Sequence, residues 1–370
     1  MVTLENPQPR QRAEISWYDW VAGKLDALIP RFGLTGACGR VHRAYDLICR
    51  ASLDGHPVGM TRFSRLNHDG TPIQFALSLG QQAATLQFLS DPGDPGSSHS
   101  EGREFIDATV RALFALLQLQ GDLDSVLELV DSTSAASAHD MDPDGGGTFW
   151  LGAGFAPGGK SGVKIYINGK SGTEKERWSR FDNFAGFFGA IETCHSLRQL
   201  VAGKMAPLGV AVSLGRNESP TGRVYLSGYG NLVSYYEDLL RYFGDESYTD
   251  AFRKYTEVML EEDRAYPTQS VVFSAGFGLG PGRPIDIKIE FCGHCLFPGD
   301  AQAGQRCLRW LALRNINADS YASLLEVIGG RMSATEVNTH VYLGLGWKNQ
   351  QEYTTLYLKP HPPLADPSDA

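Results

Sequence analysis

Five times along the 370-residue chain, two β-rich runs flank a short turn. The segments are Pro72–Pro92, Thr148–Asn168, Leu208–Gly228, Ser270–Phe291 and Asn338–Pro360. Most of the turns are rich in Gly, Pro or Asn, as β-hairpins require. Their centres lie roughly 60–75 residues apart, the mark of a repeat architecture. Between the hairpins the apolar period changes from two to helical. Val41, Ala44, Tyr45, Ile48 and Cys49 share one face, as do Phe105, Ile106, Leu113, Leu116 and Leu117. Trp178, Phe181, Phe184, Phe188 and Ile191 form an aromatic stripe, Leu232, Tyr236, Leu239, Leu240 and Phe243 another, and Leu308 to Ile328 supplies more. Such stripes are core-packing faces. Helices before each hairpin must therefore cover one face of a ten-stranded antiparallel sheet. Closing the sheet into a barrel would remove its free edges, and an open sheet under one helical layer is the alternative.

The second strand of each later hairpin decides which face is which. In "GVKIYIN" Lys164, Tyr166 and Asn168 alternate with Val163, Ile165 and Ile167. In "GRVYLSG" Arg223 and Tyr225 alternate with Val224 and Leu226. In "IDIKIEF" Asp286, Lys288 and Glu290 alternate with Ile285, Ile287 and Ile289. In "EYTTLYLKP" Tyr353, Thr355, Tyr357 and Lys359 alternate with Thr354, Leu356 and Leu358. Period two puts each polar set on one face. For a single strand the ordinary reading is a solvated polar face. Here the helices cover the apolar face, so the polar sets all point the other way, into the lumen if the sheet closes. Unpaired cations gathered there repel one another, and an anionic ligand would relieve the repulsion. Tyrosine π-faces beside it would stabilise a cation. A diphosphate leaving group and an allylic carbocation fit both halves of that description.

Several other motifs fail on context. Gly154–Ser161, "GFAPGGKS", satisfies the P-loop pattern, but a P-loop needs a helix after it. The next residues, "GVKIYIN", alternate as a strand, so Lys160 is a turn residue. "GFGLGPG" (Gly276–Gly282) has Pro281 where a dinucleotide fingerprint needs its third Gly. "DMDPDGGG" (Asp140–Gly147) lacks the closing Glu of a calcium loop. In "FCGHCLF" (Phe291–Phe297), Cys292, His294 and Cys295 have redox or zinc-ligand spacing. A plain loop is expected there, because Leu296 to Gly299 read as loop and no second ligand pair is evident. No metal site and no cofactor are expected.

The bulk composition, 42% hydrophobic and 20% charged with six cysteines, is that of a soluble globular chain with ordinary cytoplasmic cysteine usage. A net charge of −9 gives no general attraction to nucleic acid or anionic membrane. No apolar run is long enough for a spanning helix, and the N-terminus has no apolar signal core. One domain is expected over residues 15–360, with residues 1–14 and the Pro-rich 361–370 as disordered flanks.

The strand order and short motifs resemble the dimethylallyltryptophan synthase-type aromatic prenyltransferases, especially the bacterial indole prenyltransferases. The resemblance runs from about Arg62 to Pro360. "HDGTPIQFALS" resembles the family's Pro-x-Glu segment, whose Glu holds the acceptor indole N–H; Gln74 stands there. "LQFLSDP" resembles a strand carrying a diphosphate-binding Arg; Gln87 stands there. "VKIYI" matches Lys-x-Tyr, which gives Lys164 to diphosphate and Tyr166 to the tyrosine shield. "TGRVYL" resembles Arg-x-Lys-x-Tyr, with Arg223 and Tyr225 kept in kind and Thr221 in place of the first cation. Lys288 and Glu290 occupy inward positions that bind diphosphate in relatives. In "VYLGLGWKNQQEYTTLYL", Tyr342 and Tyr357 match shield tyrosines and Lys348 falls where a diphosphate-binding Arg is usual.

The resemblance implies an α+β fold, a ten-stranded antiparallel prenyltransferase barrel of five ααββ repeats with helices outside and the active site in the lumen. It implies prenyl transfer, metal-independent, from a prenyl diphosphate such as dimethylallyl diphosphate to an indole or tryptophan-type acceptor, and the absence of an Asp-Asp-x-x-Asp metal motif fits this. Lys164, Arg223, Lys288, Lys348 and Gln87 would line the diphosphate; Tyr166, Tyr225, Tyr342 and Tyr357 would shield the cation. Glu290 is the candidate base and Gln74 the candidate acceptor anchor, able to accept from N–H but not to take a proton. A tryptophan in a peptide is an alternative acceptor, and a barrel that binds a prenyl or aromatic ligand without reaction is an alternative function.

Overall fold

The structure, a computed structural model, describes all residues except 1–14, 57–63, 65, 68, 81–82, 93–98, 136–148, 229–232, 245, 261–266, 268–269, 281, 283, 330–332, 338 and 362–370. The expected flank 1–14, all of the expected flank 361–370 but His361, the "DMDPDGGG" turn and Leu232 lie outside the described residues; the His361 N–H donates to Ile328 O at 3.3 Å.

The order of elements is five repeats of helices followed by a hairpin. The first holds α1 (Trp17–Arg31), α2 (Cys38–Leu53), β1 (Ile73–Gly80) and β2 (Thr85–Ser90). The second holds α3 (His99–Leu117), α4 (Leu123–Ala135), β3 (Phe149–Phe155) and β4 (Ser161–Asn168). The third holds α5 (Glu174–Phe187), α6 (Ile191–Leu200), β5 (Met205–Gly215) and β6 (Glu218–Gly228). The fourth holds α7 (Val233–Phe243), α8 (Glu246–Leu260), β7 (Val271–Phe277) and β8 (Asp286–Cys292). A one-turn helix, α9 (Gly293–Leu296), precedes the fifth: α10 (Asp300–Leu313), α11 (Asp319–Ile328), β9 (His340–Lys348) and β10 (Gln351–Leu358). "FCGHCLF" is thus a strand end and a helical turn, not the loop expected from its Pro and Gly.

Each strand pairs antiparallel with its neighbours in sequence, and β1 pairs with β10, so the sheet closes. The open sheet is excluded. Closure leaves two surfaces. The outer one carries Phe75, Leu77, Phe88, Leu151, Ile165, Val224, Phe273, Ile289, Leu345 and Leu356, all in the main hydrophobic core. The helix stripes meet them: Tyr45 and Ile48, Phe181 and Phe184, Phe252 and Trp310 are fully buried in the same core. Each such side chain contributes about 1.5–3 kcal/mol on burial, so the helix layer is what holds the barrel. Ile191 departs from its stripe: it opens α6 and is exposed. The α3 face runs through Ile106, Val110, Leu113 and Leu117, with Phe105 and Leu116 only half-buried.

The ends of the barrel differ. At one, hairpin turns join the strands; β9 and β10 turn through Asn349 and Gln350, both at positive φ (50° and 65°). That two-residue geometry matches the right-handed twist of the flanking strands. At the other end the strands run to and from the helices. "GFAPGGKS" is the β3–β4 turn, a 3-10 stretch at Pro157–Gly159 leading straight into β4, with Lys160 exposed. No helix succeeds it, so the glycine loop cradles nothing.

Candidate active site in the barrel lumen

Alternation sends every second side chain inward, and the cross-strand register stacks these into one lining. Around the wall the register runs from Lys164 to Ser213 across β4–β5. From β5 it joins Ala211 to Arg223, Arg223 to Gly276 and Gly276 to Asp286. Lys288 stands opposite Gly346 and Glu290 opposite Gly344; Tyr357 faces Tyr342 and Ala76.

Two of the three basic side chains, Arg223 and Lys288, are paired with carboxylates, which corrects the expectation of unpaired charges for those two. Arg223 forms an ion pair with Asp286, and its Nη1 donates to Ser274 Oγ at 2.8 Å. Lys288 Nζ lies 2.6 Å from Glu290 and donates to the Tyr357 hydroxyl at 2.9 Å. Lys164 donates to the Tyr225 hydroxyl at 2.8 Å and stands 4.5 Å from the centre of the Tyr166 ring. Tyr353 donates to Asp286 at 2.7 Å. Among these groups three basic side chains face two carboxylates, and Lys164 is the one with no carboxylate partner among the described ion pairs.

The electrostatics arise from burial. Desolvation pushes the Lys164 pKa well below the ordinary lysine value, and repulsion from Arg223 and Lys288 lowers it further. Desolvation also lowers Lys288, against the opposing pull of Glu290. Arg223 is raised: burial works against its charge, but the Asp286 carboxylate overcomes this. Desolvation raises Tyr166, Tyr225, Tyr342, Tyr353 and Tyr357, so all five are neutral phenols at neutral pH.

Below the charged level the lumen is apolar and aromatic. Ala76, Leu89, Val341 and Tyr357 cluster with Leu66, Trp150, Tyr166 and Tyr342. Ala211, Tyr225 and Val272 form a second patch that also touches Tyr166 and Tyr342. Tyr166 and Tyr225 lie 6.1 Å apart between ring centres, and Tyr342 meets Tyr357 edge-on at 6.2 Å. Gln74 is at the helix end of this wall. Its Nε2 donates to Leu66 O (3.0 Å) and Asn67 Oδ1 (2.6 Å), and Asn67 in turn donates to Thr71 O at 2.6 Å. Both amide protons are thereby committed, and the Gln74 carbonyl is left to accept.

The structure therefore brings Lys164, Arg223, Lys288, Glu290, Tyr166, Tyr225, Tyr342, Tyr357 and Gln74 to one lumen. Gln87 joins the lining opposite Ala76 and Gly154. Lys348 stands apart: it ends β9 at the hairpin rim and is exposed. Asp286, Tyr353 and Ser274 are not singled out by the sequence. Asp286 and Tyr353 belong to the alternating polar sets of β8 and β10, so a signal for them exists; Ser274 lies in a first strand, where no polar alternation marks it. A surface hollow of about 280 Å³ lined by Asp122, Phe187, Glu218, Pro220 and Leu279 contains none of these groups, and its carboxylates do not suit an anion.

No protein-family model and no curated protein sequence matches the chain. Solved structures do. The 5-dimethylallyltryptophan synthase from Streptomyces coelicolor is similar at a TM-score of 0.80 and 20% identity, over 94% of this chain and 98% of that one. The prenyltransferase PriB in its apo form is similar at 0.79 and 18%, over 94% and 98%. A 6-dimethylallyltryptophan synthase from Micromonospora olivasterospora, in complex with DMASPP and Trp, is similar at 0.76 and 18%, over 94% and 100%. The chain has the ten-stranded prenyltransferase-barrel fold of these proteins, the architecture that its short motifs resemble.

Proposed function

We propose that the protein transfers a prenyl group, dimethylallyl in the first instance, from its diphosphate to the ring of an indole or tryptophan-type acceptor. One observation carries the reading: two lysines, an arginine and five neutral tyrosines line a single lumen whose other end is apolar and holds an oriented amide acceptor. The structural neighbours that bind DMASPP and Trp support it.

The diphosphate would lie against Lys164 and the N–H groups of Arg223 and Lys288 not used by Asp286, Ser274, Glu290 and Tyr357. Fixed cations stabilise the charge that collects on the leaving oxygen as the C–O bond breaks. The bond's electron pair leaves with the diphosphate, and the allyl cation remains among Tyr166, Tyr225, Tyr342 and Tyr357. Lys288 Nζ already stands 5.0 Å from the Tyr357 ring centre and Lys164 Nζ 4.5 Å from that of Tyr166, so these faces accept a cation. Neutral phenols do not trap the cation as phenoxides would. Gln74 accepts the acceptor's N–H, the ring attacks the cation, and Glu290, which is ion-paired with Lys288, takes the ring proton once the diphosphate has drawn Lys288 from it. Lys348 at the rim meets the donor as it enters.

The test is incubation with dimethylallyl diphosphate and L-tryptophan, with and without EDTA, followed by mass spectrometry. The expected product is one dimethylallyl group heavier, with EDTA making no difference. If neither adduct nor released diphosphate forms across indole, tryptophan and tryptophan-containing peptides, the transferase reading is wrong and a binding barrel takes its place.

A further inference from the structure

The lumen chemistry leaves one cluster of metal-ligating side-chain types unused. Cys292 ends β8 as the next member of the inward set Asp286, Lys288 and Glu290, and Tyr342 is its partner across β9. The chain then turns at once into α9, closed by the Phe297 N–H donating to Gly293 O at 3.0 Å. That single turn carries His294 and Cys295 back over the strand end. His294 Nδ1 lies 3.2 Å from Cys292 Sγ, and the three donor atoms all lie within 4.8 Å of one another.

The turn depends on a glycine. A Cβ on Gly293 would stand 2.2 Å from the His340 carbonyl oxygen. Only a residue without a side chain lets α9 sit this close to β9, and only that closeness folds the turn over Cys292. His340 itself is committed: its Nδ1 lies 2.7 Å from Asp300 and its Nε2 2.6 Å from the Tyr321 hydroxyl.

We propose that Cys292, His294 and Cys295 form a three-donor site for a thiophilic divalent cation, Zn2+. In a tetrahedral site with Zn–S near 2.3 Å and Zn–N near 2.0–2.1 Å, neighbouring donors lie about 3.6–3.8 Å apart. The observed triangle needs only small side-chain rotations to become one face of that tetrahedron. Two sulfurs and an imidazole select zinc over magnesium or calcium, which take oxygen. Cys292 is buried, Cys295 half-buried and His294 exposed, so one side of the site opens to solvent for entry and for a fourth ligand. Two thiolates cancel the charge of the ion. Binding would therefore add no net charge beside Tyr342, which matters where a carbocation is to be sheltered. The site does not depend on the transferase reading.

Metal-free reduced protein should be titrated with Zn2+ against a chromophoric chelator, and separately with Co2+. One equivalent should bind, and Co2+ should give sulfur-to-metal charge-transfer absorption with intense tetrahedral d–d bands. His294→Ala and Cys295→Ser should each weaken Zn2+ binding by more than the roughly 10–100-fold that an outer-shell change costs. His294 is exposed, so its variant should keep the wild-type circular dichroism and melting temperature. No saturable binding overturns the proposal, as does binding that survives both variants. So does quantitative Cys292–Cys295 disulfide in air-exposed protein that takes up no metal, which would assign the pair a redox role.

Discussion

Lys164 shows how much one position can be asked to do. The alternation in "GVKIYIN" points it inward, and the structure adds that none of the described ion pairs includes it. Removing it in Lys164→Ala should lower kcat/KM for prenyl transfer by about 10²–10³-fold, the usual cost of a lost transition-state donor. Its lowered pKa has a thermodynamic sign. Between that value and the ordinary lysine value the unfolded chain binds the extra proton, so stability rises with pH through this window. Lys164→Met should therefore reduce the alkaline rise in stability measured by urea unfolding at several pH values. Arrival of a diphosphate reverses the effect on the lysine and favours its charged form. Calorimetry in buffers of different ionisation enthalpy should show proton uptake with a non-reacting prenyl diphosphate analogue, and less of it in Lys164→Met. Asp286 makes the opposite case. Asp286→Asn leaves Arg223 without its counter-ion, so the melting temperature should fall while the analogue binds more tightly. Weaker analogue binding in that variant would mean that Arg223 does not face the donor. The pair itself was not legible in the sequence, because nothing in two separate alternating strands says which inward charges will touch.

At the scale of elements, glycines on the inner wall decide those contacts. Gly276 lies between Arg223 and Asp286 in the register, and a Cβ there would come 3.3 Å from the Arg223 guanidinium and 3.2 Å from Asp286 Cβ. The bare backbone of β7 is the passage over which the two side chains meet. On β9, Gly346 lies beneath the Tyr353 ring, with a Cβ placed 2.5 Å from it, and Tyr353 reaches Asp286 across that gap. Gly276→Val should separate the ion pair, lower thermal stability by about 1–3 kcal/mol and, because its side chain displaces the Arg223 guanidinium instead of freeing it in place, weaken diphosphate binding. Unchanged stability and affinity would show that the pair does not need the gap. The hairpins and helix stripes were legible because period two and period 3.6 are local properties. The α9 turn was not: Pro298 and Gly299 advertise a loop, and the helical turn exists because Gly293 fits against the backbone of β9. Ile191 shows the same limit at a helix end, where the stripe's spacing continues but the neighbouring core does not.

For the whole molecule the decisive event is the β1–β10 pairing, which joins the first hairpin to the last. If the barrel is closed in solution, amides of β1 and β10 should exchange with deuterium as slowly as those of β5 and β6. Fast exchange confined to β1 and β10 would reveal an open edge. No described helix is long and apolar enough to cross a membrane. By itself the sequence determined the repeat of helices and hairpins, the face of the second strand in each of the last four hairpins and, on those strands, the inward lysines, arginine and tyrosines. Those come from spacing along the chain and the need to bury apolar side chains. Only the tertiary structure decided closure, the pairing of Arg223 with Asp286 and Lys288 with Glu290, the exposure of Lys348 at the rim and the meeting of Cys292 with His294 and Cys295. Each depends on which atoms come within a few ångströms across strands or turns, and that is fixed by register, curvature and the absence of a side chain at a few glycines.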